Sequence, residues 1–342
     1  MSKKYLLYIT QNYSFEILRP IHDELKRRGS EVMWLAMAKK LNHQYFSKSD
    51  YVETSLDIAR EFNPKACFVT GNYIPSFIPG LKVQVFHGLE WKKKGHFSIK
   101  GHFDLYCTHG KATTDRFKQL TEKHQYFDVI ETGWPKLDYL FSSKPFGDCP
   151  ENTKTILYAP TFSPKLSSAT DLYDEITRLS QNTDYYWLIK FHPKMKRSWI
   201  NMYKGLEGPN LKIIQSQNIN SLLQRADIMV SDTSSVIGEF SLLGKPVVSY
   251  KNSVPGDYLI NIEDASLLPS AIEEAFNPKQ ALLSAIKQYV QELHPYTDGK
   301  SAYRIIEAVE DILKYGKKAK RKKPFNLVRK FKIRKKLKYY KW

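Results

Sequence analysis

The regular alternation of short apolar runs with stretches of helical periodicity constrains the fold most. Tyr5–Ile9 (YLLYI) is typical of a buried strand, and residues 15–28 follow with helical apolar spacing that ends at Gly29. Further strands are predicted at 31–36, 66–69, 82–86, 105–108 and 127–131. Strands that alternate with helices in this way predict a parallel sheet covered by helices on both faces.

A segment rich in Pro, Ser and Gly, SSKPFGDCPENT at 142–153, reads as a linker, after which the pattern restarts. The second series predicts strands at 155–158, 186–189, 211–214, 228–231 and 247–250, and helices at 170–181, 219–226, 234–243, 267–276, 279–292 and 300–314. We therefore predict an α/β fold class: two doubly wound Rossmann-like domains, 1–145 and 146–316, which face one another across a cleft.

The charge of the chain is concentrated at one end. Residues 317–342 contain 14 Lys and Arg and no Asp or Glu, and without them the net charge falls from +18 to +4. This polybasic tail suits an anionic bilayer surface, a nucleic acid or other polyanion, or a solvated disordered state. We favour peripheral membrane binding over nucleic acid. Because the apolar residues of the tail do not share one helical stripe, a deep amphipathic anchor is not expected.

Sparse cysteines and the start of the chain bear on compartment. Cys67, Cys107 and Cys149 are widely spaced, which favours the reducing cytoplasm over a disulfide framework or a zinc site, and no metal site is expected. The first residues, MSKKYLLYIT, are interpreted as a strand and not as a signal peptide. No run approaches the ~18 apolar residues of a membrane span.

Two histidines directly follow predicted strands, one in each half. In QVFHGLEWKKKG, His87 can accept a proton at neutral pH, and Gly88 lets the backbone turn and a ligand approach. In WLIKFHPK, Lys190 and His192 repeat the arrangement. The alternative for both histidines is a side chain that only holds a loop. Lys92 belongs to a lysine run that is either solvated or in contact with an anionic acceptor.

Three hydroxyl residues, Thr233, Ser234 and Ser235 in SDTSSVIGEF, separate a predicted strand from a predicted helix. The free N–H groups and positive dipole end of a first helical turn favour a phosphate there. The alternative is an ordinary N-cap, worth ~1 kcal/mol, which accounts for one of the three hydroxyls.

A second cationic site is predicted after the Asp298-Gly299 turn. Lys300 and Arg304 lie one helical turn apart, which suits a diphosphate, although a plain surface helix start is the alternative. The sequence contains no P-loop, dinucleotide fingerprint, nucleophile elbow or H-E-x-x-H motif. Phosphate binding would therefore rest on backbone amides, His, Lys and Arg.

Taken together, these motifs resemble those of the CDP-glycerol glycerophosphotransferase family, which includes primases and polymerases of teichoic acid synthesis. In family order, they correspond to His87-Gly88 with Lys92 and Gly95, Thr132 to Asp138, Tyr158 to Ser163, Lys190 to Pro193, Ser231 to Phe240 with Lys245-Pro246, and Asp298 to Arg304. Leu89, Lys136 and Ser163 replace a Thr and two Arg residues of the family pattern.

The resemblance implies a GT-B type architecture and a reaction in which an acceptor hydroxyl attacks the glycerol-side phosphorus of CDP-glycerol and CMP leaves. It implies His87 as general base and His192 as a ligand of the transferred phosphoryl group. The other motif residues implied at the donor site are Gly88, Lys92, Thr161, Lys190, Asp232, Thr233, Ser234, Ser235, Glu239, Asp298, Lys300 and Arg304. Asp232 has an alternative role, which is to orient its loop.

The implied donor substrate is CDP-glycerol, with no further cofactor, and the implied acceptor is lipid-linked or polymeric. The setting would be wall or capsular polymer synthesis at the cytoplasmic face of the cell membrane, with the enzyme bound peripherally. Three alternatives stay open: a CDP-ribitol ribitolphosphotransferase, a GT-B sugar-nucleotide glycosyltransferase or epimerase, and a polyanion-binding protein that acts through its tail.

Overall fold

The computed structural model describes residues 2–38, 40–89, 97–150, 152–181, 185–215 and 219–341. The chain divides into two compact units, the first formed by Met1–Tyr139 with Leu293–Trp342 and the second by Leu140–Glu292. Each unit contains one sheet, and every pairing between the strands of these sheets is parallel. The predicted α/β class with two parallel sheets is therefore confirmed.

The first sheet has the order β3-β2-β1-β4-β5-β6-β7, with β1 Lys4–Ile9, β2 Glu31–Ala36, β3 Tyr51–Glu53, β4 Ala66–Val69, β5 Leu81–Gln84, β6 Leu105–Thr108 and β7 Asp128–Glu131. The second has the order β10-β9-β8-β11-β12-β13, with β8 Lys154–Tyr158, β9 Tyr185–Ile189, β10 Leu211–Ile213, β11 Ile228–Ser231, β12 Val247–Tyr250 and β13 Ile260–Ile262. In both sheets the strand order reverses once, beside β1 and beside β8, and the carboxyl ends of strands at such a reversal form the usual ligand crevice.

The helices described are α1 Ser14–Arg27, α2 Leu56–Glu61, α3 Lys111–His124, α4 Lys136–Ser142, α5 Tyr173–Gln181, α6 Arg197–Lys204, α7 Asn220–Arg225, α8 Val236–Ser241, α9 Leu268–Phe276, α10 Gln280–Leu293, α11 Ser301–Tyr315 and α12 Leu327–Leu337. The central strands are buried on both faces, as the apolar runs predicted. The three-residue edge strands β3 and β13 were not predicted, because their partly exposed residues form no apolar run.

The division of the chain differs from the predicted boundaries at 145 and 316. The first unit ends within α4, and Phe146 already donates a backbone hydrogen bond to Ser221 of the second unit. Helix α11, which the sequence grouped with the second half, belongs to the first unit, where the Arg28 guanidinium pairs with Glu307 and stacks over Tyr303. The segment 293–304 therefore lies in the same unit as His87.

The polybasic tail is folded and not a solvated disordered segment. The first part of the tail is attached next to the start of β6, because Lys317 and Lys323 both pair with the Asp104 carboxylate, at 2.9 and 2.7 Å. The Asp104 side chain is only 6% exposed, and it also accepts the backbone N–H of Lys82. Helix α12 then packs on the same unit. In the described part of the chain, no helix combines the length and apolarity needed to cross a membrane.

Candidate active site

His87 lies just beyond the carboxyl end of β5, next to the point where the first sheet reverses its strand order. Its Nδ1 is 3.3 Å from the carbonyl oxygen of Thr70, which follows β4. Because a carbonyl can only accept, this contact places the proton of the neutral ring on Nδ1 and leaves its Nε2 as the acceptor. His87 is exposed, and its ring lies 5.4 Å from that of Tyr13. A proton acceptor is thus presented to solvent at the predicted strand end.

The backbone before His87 adopts an unusual conformation that the sequence did not reveal. Phe86 has a φ of +57°, in the left-handed region that bulky residues rarely occupy. Its buried ring packs against Tyr106, His109 and Phe117, with centroids 5.2 to 6.1 Å away. Three aromatic neighbours therefore hold the turn that directs the His87 side chain outward. In the sequence, this turn is marked only by a Phe directly before His87-Gly88.

The surroundings of His87 are open where they are described. A Cβ added at Gly88 would meet no atom within 4 Å, which is consistent with room for a ligand. Lys92 and Gly95 lie outside the described residues. Beneath His87, the buried Gln84 amide donates to the same Thr70 carbonyl at 3.3 Å, and the Thr70 hydroxyl bonds that of Ser14 at 2.7 Å. These contacts hold Thr70, whose carbonyl oxygen accepts the hydrogen bond from His87 Nδ1, in place.

In the second unit, Asp232 organises the end of β11 from a fully buried position. Its carboxylate accepts the Thr161 N–H at 2.9 and 3.1 Å, the Ser168 N–H at 2.9 Å and the Ser168 hydroxyl at 3.0 Å. Burial raises the pKa of this carboxyl above its usual value, although the Ser168 and Thr161 donors act in the opposite direction. Asp232 therefore ties the loop after β8 to the end of β11, which is the loop-orienting alternative.

The three hydroxyl residues occupy the turn that follows, and none caps the helix. Thr233 accepts a hydrogen bond from the backbone of Ser253 at 3.2 Å. Helix α8 begins only at Val236, and its N-cap residue, Ser235, makes no side-chain cap. Within the described ranges, the hydroxyls of Ser234 and Ser235 have no hydrogen-bond partner. The capping alternative is thus not observed, while Glu239 lies half-buried in α8.

Lys190 and His192 follow β9, the strand beside β8. The His192 Nδ1 accepts the backbone N–H of Lys194 at 3.1 Å, so the neutral ring carries its proton on Nε2. Partial burial, with Lys194 and Lys190 nearby, lowers the pKa of His192 below its ordinary value, and burial also lowers the pKa of Lys190. The His192 ring stacks on Phe162, with centroids 4.4 Å apart.

These contacts bring the second unit's candidates to one edge of the sheet. Thr161, His192 and the 233–235 turn follow β8, β9 and β11, which are neighbours in the sheet at its order reversal. The Nε2 donor of His192, the Lys190 ammonium and the hydroxyls of Ser234 and Ser235 are the groups a phosphate needs here. No group of His, Cys, Asp or Glu suited to a metal ion occurs within the residues that the structure describes.

The last motif belongs to the first unit, and most of its groups are occupied. The Arg304 guanidinium binds both oxygens of Asp298, at 2.8 and 3.1 Å, and the Thr132 carbonyl at 2.8 Å. Its face lies 4.0 Å from the centroid of the Tyr296 ring. Lys300 is exposed. This motif is therefore part of the first unit, whereas Lys190, His192 and the 233–235 turn are part of the second, and Arg304 holds its own loop together.

Comparison with known proteins decides the family. Residues 92–311, well over half of the chain, match the model of the family described as CDP-glycerol:poly(glycerophosphate) glycerophosphotransferase. The chain belongs to this glycerophosphotransferase family. The architecture agrees, because the wall teichoic acid polymerase TagF superposes with a TM-score of 0.61 at 14% identity, over 92% of this chain and 89% of TagF. The fold is thus of the GT-B type.

Two curated relatives show how far the sequence similarity extends. The teichoic acid glycerol-phosphate primase of Bacillus subtilis is 28% identical over 48% of this chain and 45% of its own length. The teichoic acid ribitol-phosphate primase of Bacillus spizizenii is 22% identical over 64% of this chain and 62% of its own length. The chain thus spans less than two thirds of the length of either relative.

The family motif from Thr132 to Asp138 has a structural role within the first unit, where it contacts residues 294–302. Gly133 has a φ of +80°, and a Cβ there would lie 2.5 Å from the Ser301 hydroxyl. The next residue, Trp134, donates its N–H to the buried His294 Nε2 at 2.9 Å. Asp138 accepts the N–H groups of Ser301 and Ala302, at 2.8 and 2.7 Å, at the start of α11. The sequence shows the motif, but it does not show that the motif contacts residues 294–302.

Proposed function

We propose that this glycerophosphotransferase moves glycerol phosphate from CDP-glycerol to an acceptor hydroxyl and releases CMP. The observation that carries the proposal is the cluster at the ends of β8, β9 and β11. There, the Nε2–H of neutral His192, a lysine and two unengaged hydroxyls follow strands that are consecutive in one sheet, in a member of a family named for this donor. Such fixed donors stabilise charge that develops on a phosphoryl group.

The proposed reaction divides the work between the two units. The Nε2 lone pair of His87 accepts the proton of the acceptor hydroxyl, whose oxygen attacks the phosphorus that bears the glycerol. The bond to the CMP oxygen breaks, and a phosphodiester forms. His192 and Lys190 bind the transferred phosphoryl group, and the 233–235 turn holds the diphosphate. Lys300 is proposed to offset charge on CMP.

The remaining predicted residues support these groups. Asp232 and Arg304 hold the two loops in place, as their hydrogen bonds indicate. Thr161 donates its backbone N–H to Asp232, and Asp298 anchors Arg304. Gly88, Lys92 and Glu239 stay proposed ligands of the substrates.

Two substitutions test the roles separately. His87→Ala is expected to lower kcat by ~10²–10⁴-fold, the usual range for loss of a general base, while calorimetric affinity for CDP-glycerol changes little. His192→Ala is expected to weaken both affinity and turnover. His43→Ala, which removes an exposed histidine of the first unit, serves as the matched control. Turnover of the His87 variant near that of the control would exclude His87 as the base.

The donor is tested by incubating the chain with CDP-glycerol, CDP-ribitol and UDP-sugars and measuring released CMP and UDP. We expect CMP from CDP-glycerol. CMP released mainly from CDP-ribitol would favour the ribitol alternative, which the similarity to a ribitol-phosphate primase keeps in view. UDP release would favour a sugar-nucleotide glycosyltransferase or epimerase. Nucleic acid binding without any nucleotide turnover would favour a polyanion-binding protein.

We further propose that the acceptor is lipid-linked or polymeric and that the enzyme acts peripherally at the cytoplasmic face of the cell membrane. The support is the charge of residues 317–342, with 14 Lys and Arg and no acidic residue. Near an anionic surface, each cation contributes roughly 1 kcal/mol. The polymer would then belong to the wall or the capsule.

A further inference from the structure

The apolar residues of the tail form two separate faces of α12. Leu327 and Phe331 are four residues apart and Val328 lies beside them, whereas Ile333 and Leu337 share the other side. Leu327, Val328 and Phe331 are 58% to 68% exposed, while Ile333 is 8% exposed and Leu337 packs against the core of the first unit. The absence of a single stripe, which counted against an anchor in the sequence, thus reflects one buried and one exposed apolar face.

The inner face of α12 and the residues directly after the helix are fixed to the first unit. The Tyr339 ring stacks on Phe77, with centroids 4.3 Å apart and planes within 17°. The Tyr339 hydroxyl donates to Asp57 at 2.9 Å, and the Arg334 guanidinium lies 4.7 Å from the Phe77 centroid. These contacts need no external partner, so they determine the direction in which the opposite face points.

The outer face combines apolar side chains with a basic border. Phe325, 70% exposed, adjoins the three apolar residues of that face. Lys322, Lys332 and Lys335 are exposed, and within the described residues their side chains have no ion pair or hydrogen bond. An apolar patch with a basic border fits an anionic bilayer, where the apolar groups enter the acyl boundary and the cations meet head groups. A nucleic acid would leave the exposed Leu and Val side chains without a partner.

We propose that α12 is a membrane-docking helix. Its outer face, Leu327, Val328 and Phe331, inserts into an anionic bilayer together with Phe325, which lies just before the helix, while its inner face holds it to the first unit. This goes beyond attraction by charge, because it assigns binding to named apolar side chains. Only the use made of this contact, delivery of a lipid-linked acceptor, rests on the proposed function.

A chain of contacts joins the docking helix to the candidate base. The Lys336 ammonium donates to the Tyr73 hydroxyl at 2.8 Å and lies 4.2 Å from the centroid of that ring. Tyr73 follows Thr70 by three residues, and the Thr70 carbonyl oxygen lies 3.3 Å from the His87 Nδ1. The segment after β4 therefore contacts both the docking helix and the candidate base.

The first test measures binding of the full chain to phosphatidylcholine–phosphatidylglycerol vesicles and to pure phosphatidylcholine vesicles by co-sedimentation. Leu327→Ser with Phe331→Ser is expected to weaken partitioning onto the anionic vesicles about 10- to 100-fold, because both side chains lose burial in the bilayer. The matched control, Leu267→Ser with Leu283→Ser, removes two exposed apolar residues of the second unit and should bind like wild type. Thermal unfolding of both variants checks that the fold is retained.

A second pair of substitutions distinguishes the contribution of charge to vesicle binding from that of apolar insertion. Lys332→Gln with Lys335→Gln should weaken binding to anionic vesicles by about fivefold per cation removed. If this pair weakens binding while the Leu327/Phe331 variant binds like wild type, contact is electrostatic and insertion is refuted. Wild type that binds neither vesicle also overturns the proposal.

Depth is measured directly with a probe. Phe331→Cys is labelled with an environment-sensitive fluorophore in a Cys149→Ser background, since Cys67 and Cys107 are buried. The emission should shift to the blue on anionic vesicles and be quenched by brominated lipid, and a probe at Leu267→Cys should do neither. An unshifted, unquenched probe at 331 refutes insertion. All these measurements omit CDP-glycerol, so failure of the transferase assay and failure of docking are distinguishable.

Discussion

Replacement of Asp232 by Asn tests whether the site in the second unit depends on one buried carboxylate. Thr161 donates its N–H to both carboxylate oxygens, and the N–H and hydroxyl of Ser168 both reach Oδ2. The Asn oxygen can replace only one of the two. If it takes the Oδ2 position and satisfies Ser168, the Asn amide nitrogen replaces Oδ1, which lies 2.9 Å from the Thr161 nitrogen. Donor then opposes donor at a buried position, and the cost is ~1–3 kcal/mol.

The two bonds from Ser168 also lose the charge of their acceptor, at about 1 kcal/mol each, because hydrogen bonds to charged groups contribute roughly 1.5–3 kcal/mol against 0.5–1.5 for neutral ones. Relief of the burial that raises the pKa of Asp232 offsets part of this loss. We therefore expect a net destabilisation of about 2–4 kcal/mol, or a Tm lowered by roughly 4–16 °C for a unit of this size.

The assay is differential scanning calorimetry of the full chain. Asp171→Asn is the matched control: Asp171 is also in the second unit, but its side chain is 45% exposed, so its loss should cost no more than ~1 kcal/mol. Asp232→Asn should also weaken CDP-glycerol binding, because the loop after β8 loses its attachment to β11. A Tm for the Asp232 variant equal to that of the control would refute the reasoning.

Three further outcomes are expected. Although burial opposes it, pairing with lysines lowers the pKa of Asp104. The destabilisation by Asp104→Asn, ~1–3 kcal/mol in thermal unfolding at pH 7, should therefore shrink as pH falls through that lowered pKa; an effect independent of pH would contradict the pairing. Gly133→Ala should lower the Tm, because a Cβ at a positive φ meets other side chains, whereas Gly147→Ala, with open space, should not. Lys194→Gln should raise the His192 pKa in an NMR titration, since a nearby cation is removed; an unchanged or lower midpoint would count against the local field.

The two-sheet α/β fold was predictable because central parallel strands are buried on both faces and so leave continuous apolar runs. Strands β2, β4, β6, β11 and β12 have the predicted bounds. The start of α8 was less predictable. A Ser and Thr run before an apolar segment is typical of an N-cap, but the helix begins two residues later than predicted and the hydroxyls stay unengaged.

The candidate site was likewise predictable in part. The positions of His87 and His192 just after strands were predictable from the apolar runs that precede them, and their roles stay proposals. Their tautomers were not predictable, because each depends on a backbone group from another part of the chain: the Thr70 carbonyl for His87 and the Lys194 N–H for His192. The role of Asp232 likewise depends on Ser168, which lies 64 residues away.

The sequence by itself determined the fold class, the strand ends that carry the chemistry and the basic character of the tail, since these follow from local periodicity and composition. Only the tertiary structure decided that residues 293–304 join the first unit, that Arg304 is already paired, and that α12 has one buried and one exposed apolar face. The physical reason is that the number of apolar residues in a helix indicates how much of its surface is removed from water. Which neighbour covers each face depends on packing between segments far apart in the chain.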